Sequence, residues 1–296
     1  MQFNKFWKRS IVNKLLVILP FIWILLAIVF AFYDLEISKF LFNSESSVGK
    51  LVEFFGEIPG IFFAIFALFV LNTNAKIKNK NYRKLFFLFQ ILLSSFLFIY
   101  SLNLIFDYFN INFSFLSLEG ISVFLIFTLI SLGGFYLFKI KFSKFSKKNY
   151  LFAKLSVILF ILSGFIIQVL KFLGGRIRFA DLAIDFSDFT PWFVFNGFTG
   201  SSSFPSGHAF FAWILIPLFL IFPKKGYLRI ATLILSFLFG IFISTFRVVS
   251  GAHFASDVLF SGGITLTLFL ILYKTNFSNK YNLSTTNKKI VKKRKQ

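Results

Sequence analysis

Eight apolar runs constrain this chain more than any other feature of its sequence. They lie at roughly 11–33, 58–73, 85–106, 120–138, 152–170, 207–222, 230–246 and 257–273. Most approach the 17–25 residues a helix needs to cross about 30 Å of hydrocarbon, and the shorter ones end in polar residues that could sit at the interface. Composition agrees. Of 296 residues, 57% are hydrophobic and 15% charged, whereas a water-soluble domain carries about a quarter charged residues. The 51 phenylalanines are favourable in lipid. The expected fold is an all-α integral membrane protein with about eight transmembrane helices. No internal repeat, heptad or soluble domain interrupts the pattern.

Charge placement gives an orientation. The chain holds 32 Lys and Arg against 11 Asp and Glu, a net charge of +21, which in a soluble protein would suggest nucleic acid. Here most bases fall in segments that share one side: Lys5 to Lys14, Lys76 to Lys84, Lys139 to Lys154, Lys224 to Arg229, and the tail from Lys274. No acid lies there. All eleven acids fall on the other side. By the positive-inside rule both termini are expected to be cytoplasmic, and the regular alternation supports eight spans. The balance is thus explained by the bilayer as partner, with no nucleic acid. The basic start followed by a long apolar run reads as an uncleaved first span, and the basic tail 275–296 as a topological anchor. The outer loop 34–57 reads as an amphipathic cap or a plain connection.

Six bases break the trend: Lys39, Lys50, Lys171, Arg176, Arg178 and Arg247. A base placed where topology disfavours it needs another reason, and a bound anion is the obvious one. Cysteine is absent, which excludes disulfides, thiolate metal sites and cysteine nucleophiles. The only histidines are His208 and His253.

Three outer stretches hold nearly everything reactive: Lys171 to Arg178, Phe204-Pro205-Ser206-Gly207-His208, and Arg247 to Asp257. Lys171, Arg178 and Arg247 form a trivalent cation set suited to a phosphoryl dianion. Pro205 and Ser206 suit a helix start whose amides face an anion, and Gly207 permits close approach. If His253 and Asp257 share a helical face, the carboxylate holds one imidazole nitrogen and frees the other to attack. His208 is then a second imidazole for proton transfer. Alone, a boundary arginine is usually a snorkelling anchor and a Pro-Ser-Gly merely a helix start. Together with both histidines and a spaced Asp, coincidence is a poor explanation. For Arg176, substrate contact and simple loop charge both stay open. Asp181, Asp185 and Asp188 fit no metal-ligand spacing and read as solvated loop acids.

The ordered set Lys171-x6-Arg178, Pro205-Ser206-Gly207-His208 and Arg247-x5-His253-x3-Asp257 resembles the three-part signature of the type 2 phosphatidic acid phosphatase family, which includes membrane lipid phosphatases and, more distantly, vanadium haloperoxidases. The resemblance implies that His253 is the nucleophile and forms a phosphohistidine, that Asp257 orients it, and that His208 protonates the leaving oxygen. It implies phosphate-binding roles for Lys171, Arg178, Ser206, Gly207 and Arg247, with no metal and no other cofactor. Phe179 and Phe246 stand where the family usually has proline and serine. The expected organisation is two additional spans in 1–84, a six-span core in 85–274 resembling that of the lipid phosphatases, and the tail 275–296.

The expected activity is hydrolysis of a phosphorylated membrane lipid, as phosphomonoester or pyrophosphate, of the undecaprenyl pyrophosphate or lipid A type. The site would lie on the outer, periplasmic face of a bacterial cytoplasmic (inner) membrane. The alternatives are transfer of the phosphoryl group to another lipid, or an inactive lipid-binding or transport protein.

Overall fold

The computed structural model describes residues 11–73, 77, 79–112, 114, 117–223 and 226–275. The bases Lys5, Lys8, Arg9, Lys76, Lys78, Lys224 and Lys225, and those of the tail from Lys280 onward, lie outside the described residues. The elements in order are α1 (Ile11–Leu41), α2 (Ser47–Phe55), α3 (Ile58–Asn72), α4 (Lys80–Tyr108), α5 (Leu118–Ile140), α6 (Ser143–Lys148), α7 (Tyr150–Gly174), a 3-10 turn (Phe179–Asp181), α8 (Gly207–Trp213), a second 3-10 turn (Ile216–Ile221), α9 (Tyr227–Val249) and α10 (Ala255–Tyr273). The protein is an all-α integral membrane protein.

Among the described residues, seven segments are helical, long and apolar enough to cross a membrane, and the sixth run differs. The run at 207–222 forms a seven-residue α-helix followed by a six-residue 3-10 turn. Pro217 gives the physical reason: it lacks an N–H and its ring clashes with the carbonyl four residues back, that of Trp213, where α8 ends. The loop expected at 34–57 is also largely helical. α1 continues to Leu41, and α2 is capped by Ser46, whose Oγ accepts from Gly49 N at 3.0 Å. Such a cap satisfies an otherwise orphaned donor.

Hydrocarbon supplies no hydrophobic drive between helices, so they associate through close packing at small residues and through polar contacts. α8 is held this way on three sides. The Trp213 ring lies between Gly240 of α9 and Gly262 of α10, where a β-carbon on either glycine would come within 2.8 Å of the ring. A β-carbon on Gly60 of α3 would sit 2.1 Å from the Phe211 carbonyl oxygen. α1 lies along α10, with Trp23 over Gly263. Phe21, Phe32, Leu129 and Phe165 point outward, away from the bundle.

Side-chain contacts join the helix ends: Asp34 with Arg176 and Ser256, Tyr100 with Glu57, and Glu57 with His208. The carboxyl-terminal parts of α1, α4, α7 and α9 therefore meet the amino-terminal ends of α3, α8 and α10 at one end of the bundle, and all three reactive stretches lie there.

Candidate active site

Gly175 ends α7 in the left-handed conformation at φ 52°. A β-carbon there would lie 2.0 Å from the Gly197 carbonyl oxygen, so this turn takes glycine. It keeps Lys171 in the last turn of α7 and sends Arg176 and Arg178 across the end of the bundle. Lys171 Nζ donates to the Ser202 carbonyl at 2.5 Å. Arg247 occupies the last turn of α9. Lys171, Arg178 and Arg247 are close enough to act on one another electrostatically. Arg178 is half-buried and its side chain has no hydrogen bond among the described residues. Arg247 is 2% exposed, and its buried Nε and Nη1 have no hydrogen-bond partner. A buried guanidinium with unmade bonds is costly, and a phosphoryl oxygen is the ligand its fork fits.

His253 lies two residues before α10, and Asp257 is in the first turn of that helix. The i,i+4 spacing predicted a common helical face and a direct carboxylate–imidazole bond, but His253 precedes the helix. Gly251, at φ 71°, turns the chain out of α9 just before it. Nδ1 of His253 is 2.7 Å from the Ser203 carbonyl oxygen and 3.7 Å from Asp257 Oδ2. The second distance is beyond hydrogen-bond reach. The carbonyl accepts only, so Nδ1 carries the proton and Nε2 keeps its lone pair, as a nucleophile requires. No described residue hydrogen-bonds Nε2. Burial first, and then the Arg247 and Lys171 charges, push the imidazole down to about 3, while Asp257 pulls the other way.

Asp257 is fully committed elsewhere. Oδ2 accepts from Ser203 Oγ at 2.6 Å and from Phe254 N at 2.8 Å, and Oδ1 accepts from Arg176 Nη1 at 2.7 Å. It thus fixes the segment that carries His253 and the segment that carries its carbonyl partner. Arg176 is neither a substrate contact nor a loop charge. It is 1% exposed and stacked 3.8 Å over the Phe254 ring. Its Nε donates to the Thr190 carbonyl at 2.8 Å, Nη1 donates also to Ser256 Oγ at 2.9 Å, and Nη2 pairs with Asp34 Oδ2 at 3.0 Å. Asp34, from α1, also accepts from Ser256 N at 2.9 Å and from Ser256 Oγ.

His208 lies in the first turn of α8. Its Nδ1 is 2.8 Å from Glu57 Oε1, its Nε2 is 2.7 Å from the Glu53 carbonyl oxygen, and Glu57 Oε2 accepts from Tyr100 at 2.5 Å. Ser206 caps α8, accepting from Ala209 N at 3.3 Å, and its own N–H donates to the Asp257 carbonyl at 3.1 Å. A β-carbon on Gly207 would lie 3.5 Å from Glu57 Oε1 and 4.0 Å from Lys171 Cε. Gly207 therefore sits between Glu57, the partner of His208, and Lys171 of the cation set.

Phe179 and Phe246 are packing residues. Phe179 meets Phe42, Phe186 and Phe254 edge-on or stacked. Phe246 packs with Val52, Ala212 and Ile243. The remaining exceptional bases have partners, Lys50 with Glu45 at 3.2 Å and Lys39 over Phe186. Asp181, Asp185 and Asp188 are exposed or half-buried in their loop, where Asp185 and Asp188 accept local bonds. Among the described residues no group of three or more His, Cys, Asp or Glu side chains could hold a metal ion.

The cations and histidines stand out in the sequence, whereas Asp34, Glu57 and Tyr100 do not. The two acids lay on the side where topology expects acids, so neither stood out. No curated protein and no solved structure matches the chain. Residues 152–281 match the model of the PAP2 superfamily, consistent with the type 2 phosphatidic acid phosphatase family and supporting, in general, a phosphatase of the lipid phosphatase kind.

Proposed function

We propose that this protein hydrolyses a phosphomonoester or pyrophosphate of a membrane lipid, of the undecaprenyl pyrophosphate or lipid A type, at the outer face of a bacterial inner membrane. The observation that carries the reading is the buried Arg247 guanidinium, with Nε and Nη1 unpartnered, in the electrostatic field shared with Lys171 and Arg178 and beside a histidine that offers Nε2. Nε2 of His253 attacks phosphorus in line. The new N–P bond replaces the P–O bond to the lipid, and the leaving oxygen takes a proton from His208. Water then attacks the phosphohistidine, giving its proton back to His208, and inorganic phosphate leaves. Lys171, Arg178, Arg247 and the amide of Gly207 stabilise the equatorial oxygens, the main lever in phosphoryl transfer. Asp257 holds the His253 segment in place.

The test is phosphate release by purified protein from undecaprenyl pyrophosphate, lipid A, phosphatidylglycerol phosphate and phosphatidic acid, with EDTA present. The expected result is turnover of at least one, acid-labile label on the wild type during turnover, and neither with His253→Ala. Full turnover by His253→Ala excludes the phosphohistidine. Label arriving on an acceptor lipid instead of free phosphate makes the enzyme a transferase.

A further inference from the structure

The amino-terminal helices, outside the matched span 152–281, reach Arg176 and Ser256 through Asp34 and His208 through Glu53 and Glu57, and the contact with His208 has a chemical consequence. Both ring nitrogens of His208 face acceptors: the Glu57 carboxylate at 2.8 Å and the Glu53 carbonyl at 2.7 Å. A neutral imidazole has one donor and one acceptor, so it would leave one of these contacts as two lone pairs face to face. Both are satisfied only when both nitrogens carry protons. Glu57 is 3% exposed, and His208 is its only ion-pair partner among the described residues. A buried carboxylate needs a cation or donors, and Tyr100 supplies the second oxygen with one. Arg247 and Lys171 reach Glu57 only at longer range.

We propose that Glu57, oriented by Tyr100, is a positioning residue that holds His208 as the imidazolium, the acid form that protonates the leaving oxygen. The Nε2–H donates to the Glu53 carbonyl in the resting protein, and its proton moves to the leaving oxygen when substrate displaces that contact. The role in turnover rests on the phosphatase reading. The protonation state does not.

The two are tested separately. With only two histidines in the chain, nitrogen-15 NMR of labelled protein in micelles near neutral pH resolves each ring, assigned by His208→Asn and His253→Asn. His208 should show two protonated nitrogens, and Glu57→Gln should remove one. A singly protonated His208 in the wild type, or a pattern unchanged in Glu57→Gln, overturns the proposal. The groups that surround the pair are Glu53, Tyr100 and Asp107, Lys171, Arg178, Arg247 and Asp257, and all remain in that variant.

For turnover, dioctanoyl phosphatidic acid has a poor alkoxide leaving group, and p-nitrophenyl phosphate has a good one that needs no acid. Glu57→Gln should lower kcat on the first about 100-fold, the scale of general-acid catalysis, with KM within about twofold, and kcat on the second by less than about threefold. Tyr100→Phe should show the same selectivity at smaller size. Equal losses on both esters reduce Glu57 to a structural role and overturn its part in catalysis. A wild type that hydrolyses neither ester counts against the phosphatase reading, and the NMR result still decides the protonation state.

Discussion

Nδ1 of His253 lies 2.7 Å from the backbone carbonyl of Ser203 and a full ångström farther from Asp257. The proton on the His253 ring is therefore held by main chain, and Asp257 acts on the scaffold around it. Ser203→Ala removes the 2.6 Å bond to Asp257 and leaves the carbonyl, so turnover should fall by about ten- to a hundredfold and not be abolished, the scale of one charge-assisted bond. Asp257→Asn should lose turnover and also unfold more readily, by about 3 kcal/mol or more, because it strips Arg176 of a buried partner. Phosphate release and thermal unfolding in detergent check both.

Arg176 joins four acceptors on three segments, Asp34 of α1, Thr190 of the loop after α7, and Ser256 and Asp257 of α10. A lysine ammonium lacks the planar fork that reaches them together. Arg176→Lys should therefore be destabilised nearly as much as Arg176→Met. Adding Asp34→Asn to Arg176→Met should recover stability, because it removes one of two carboxylates left facing each other without a cation. A double-mutant cycle on unfolding midpoints gives the sign of that coupling.

Arg247 should have opposite effects with and without anion. Arg247→Met removes a buried guanidinium whose Nε and Nη1 make no hydrogen bond among the described residues, so without anion the protein should gain about 1–3 kcal/mol of stability. Phosphate or vanadate should stabilise the wild type, by about 2.7 kcal/mol at a hundred times Kd, and leave Arg247→Met unchanged. Unfolding midpoints across an anion titration read both effects.

His253 links stability to pH. Its folded value, about 3, lies below the ordinary value of 6.5, so between these limits the unfolded chain binds a proton that the folded chain refuses. Stability should fall as pH drops from about 6.5, by roughly 2 kcal/mol at pH 5, and level off below the folded value. His253→Gln should remove this slope. Unfolding midpoints of the two proteins between pH 7 and 4 measure the difference.

Much of the molecule is legible in residue order. Apolar run length and the alternation of Lys and Arg give the membrane class and seven of the long spans, because crossing hydrocarbon is a one-dimensional demand on a segment. Lys171, Arg178, Arg247, His208 and His253 stood out because a base on the disfavoured side, or a histidine in a chain with two, is anomalous wherever it folds. Acids on the favoured side carry no such anomaly. Asp34 and Glu57 were unremarkable in sequence, and Arg176 was ambiguous.

Tertiary structure alone decided what these charges do. Asp34 and Arg176 are 142 positions apart and Glu57 and His208 are 151 apart, so nothing local couples them. They meet because glycines let α3, α9 and α10 close around α8 and let α1 lie on α10, bringing one set of helix ends together so that Asp34, Glu57, Arg176 and Asp257 are buried. There an unpaired charge is costly, and each acid is held by the partner the packing supplies. The same packing shifted the start of α10 past His253 and gave its proton to a carbonyl instead of the carboxylate that spacing had suggested. Sequence determined which chemical groups stand at that end of the bundle, and the packing determined which of them touch.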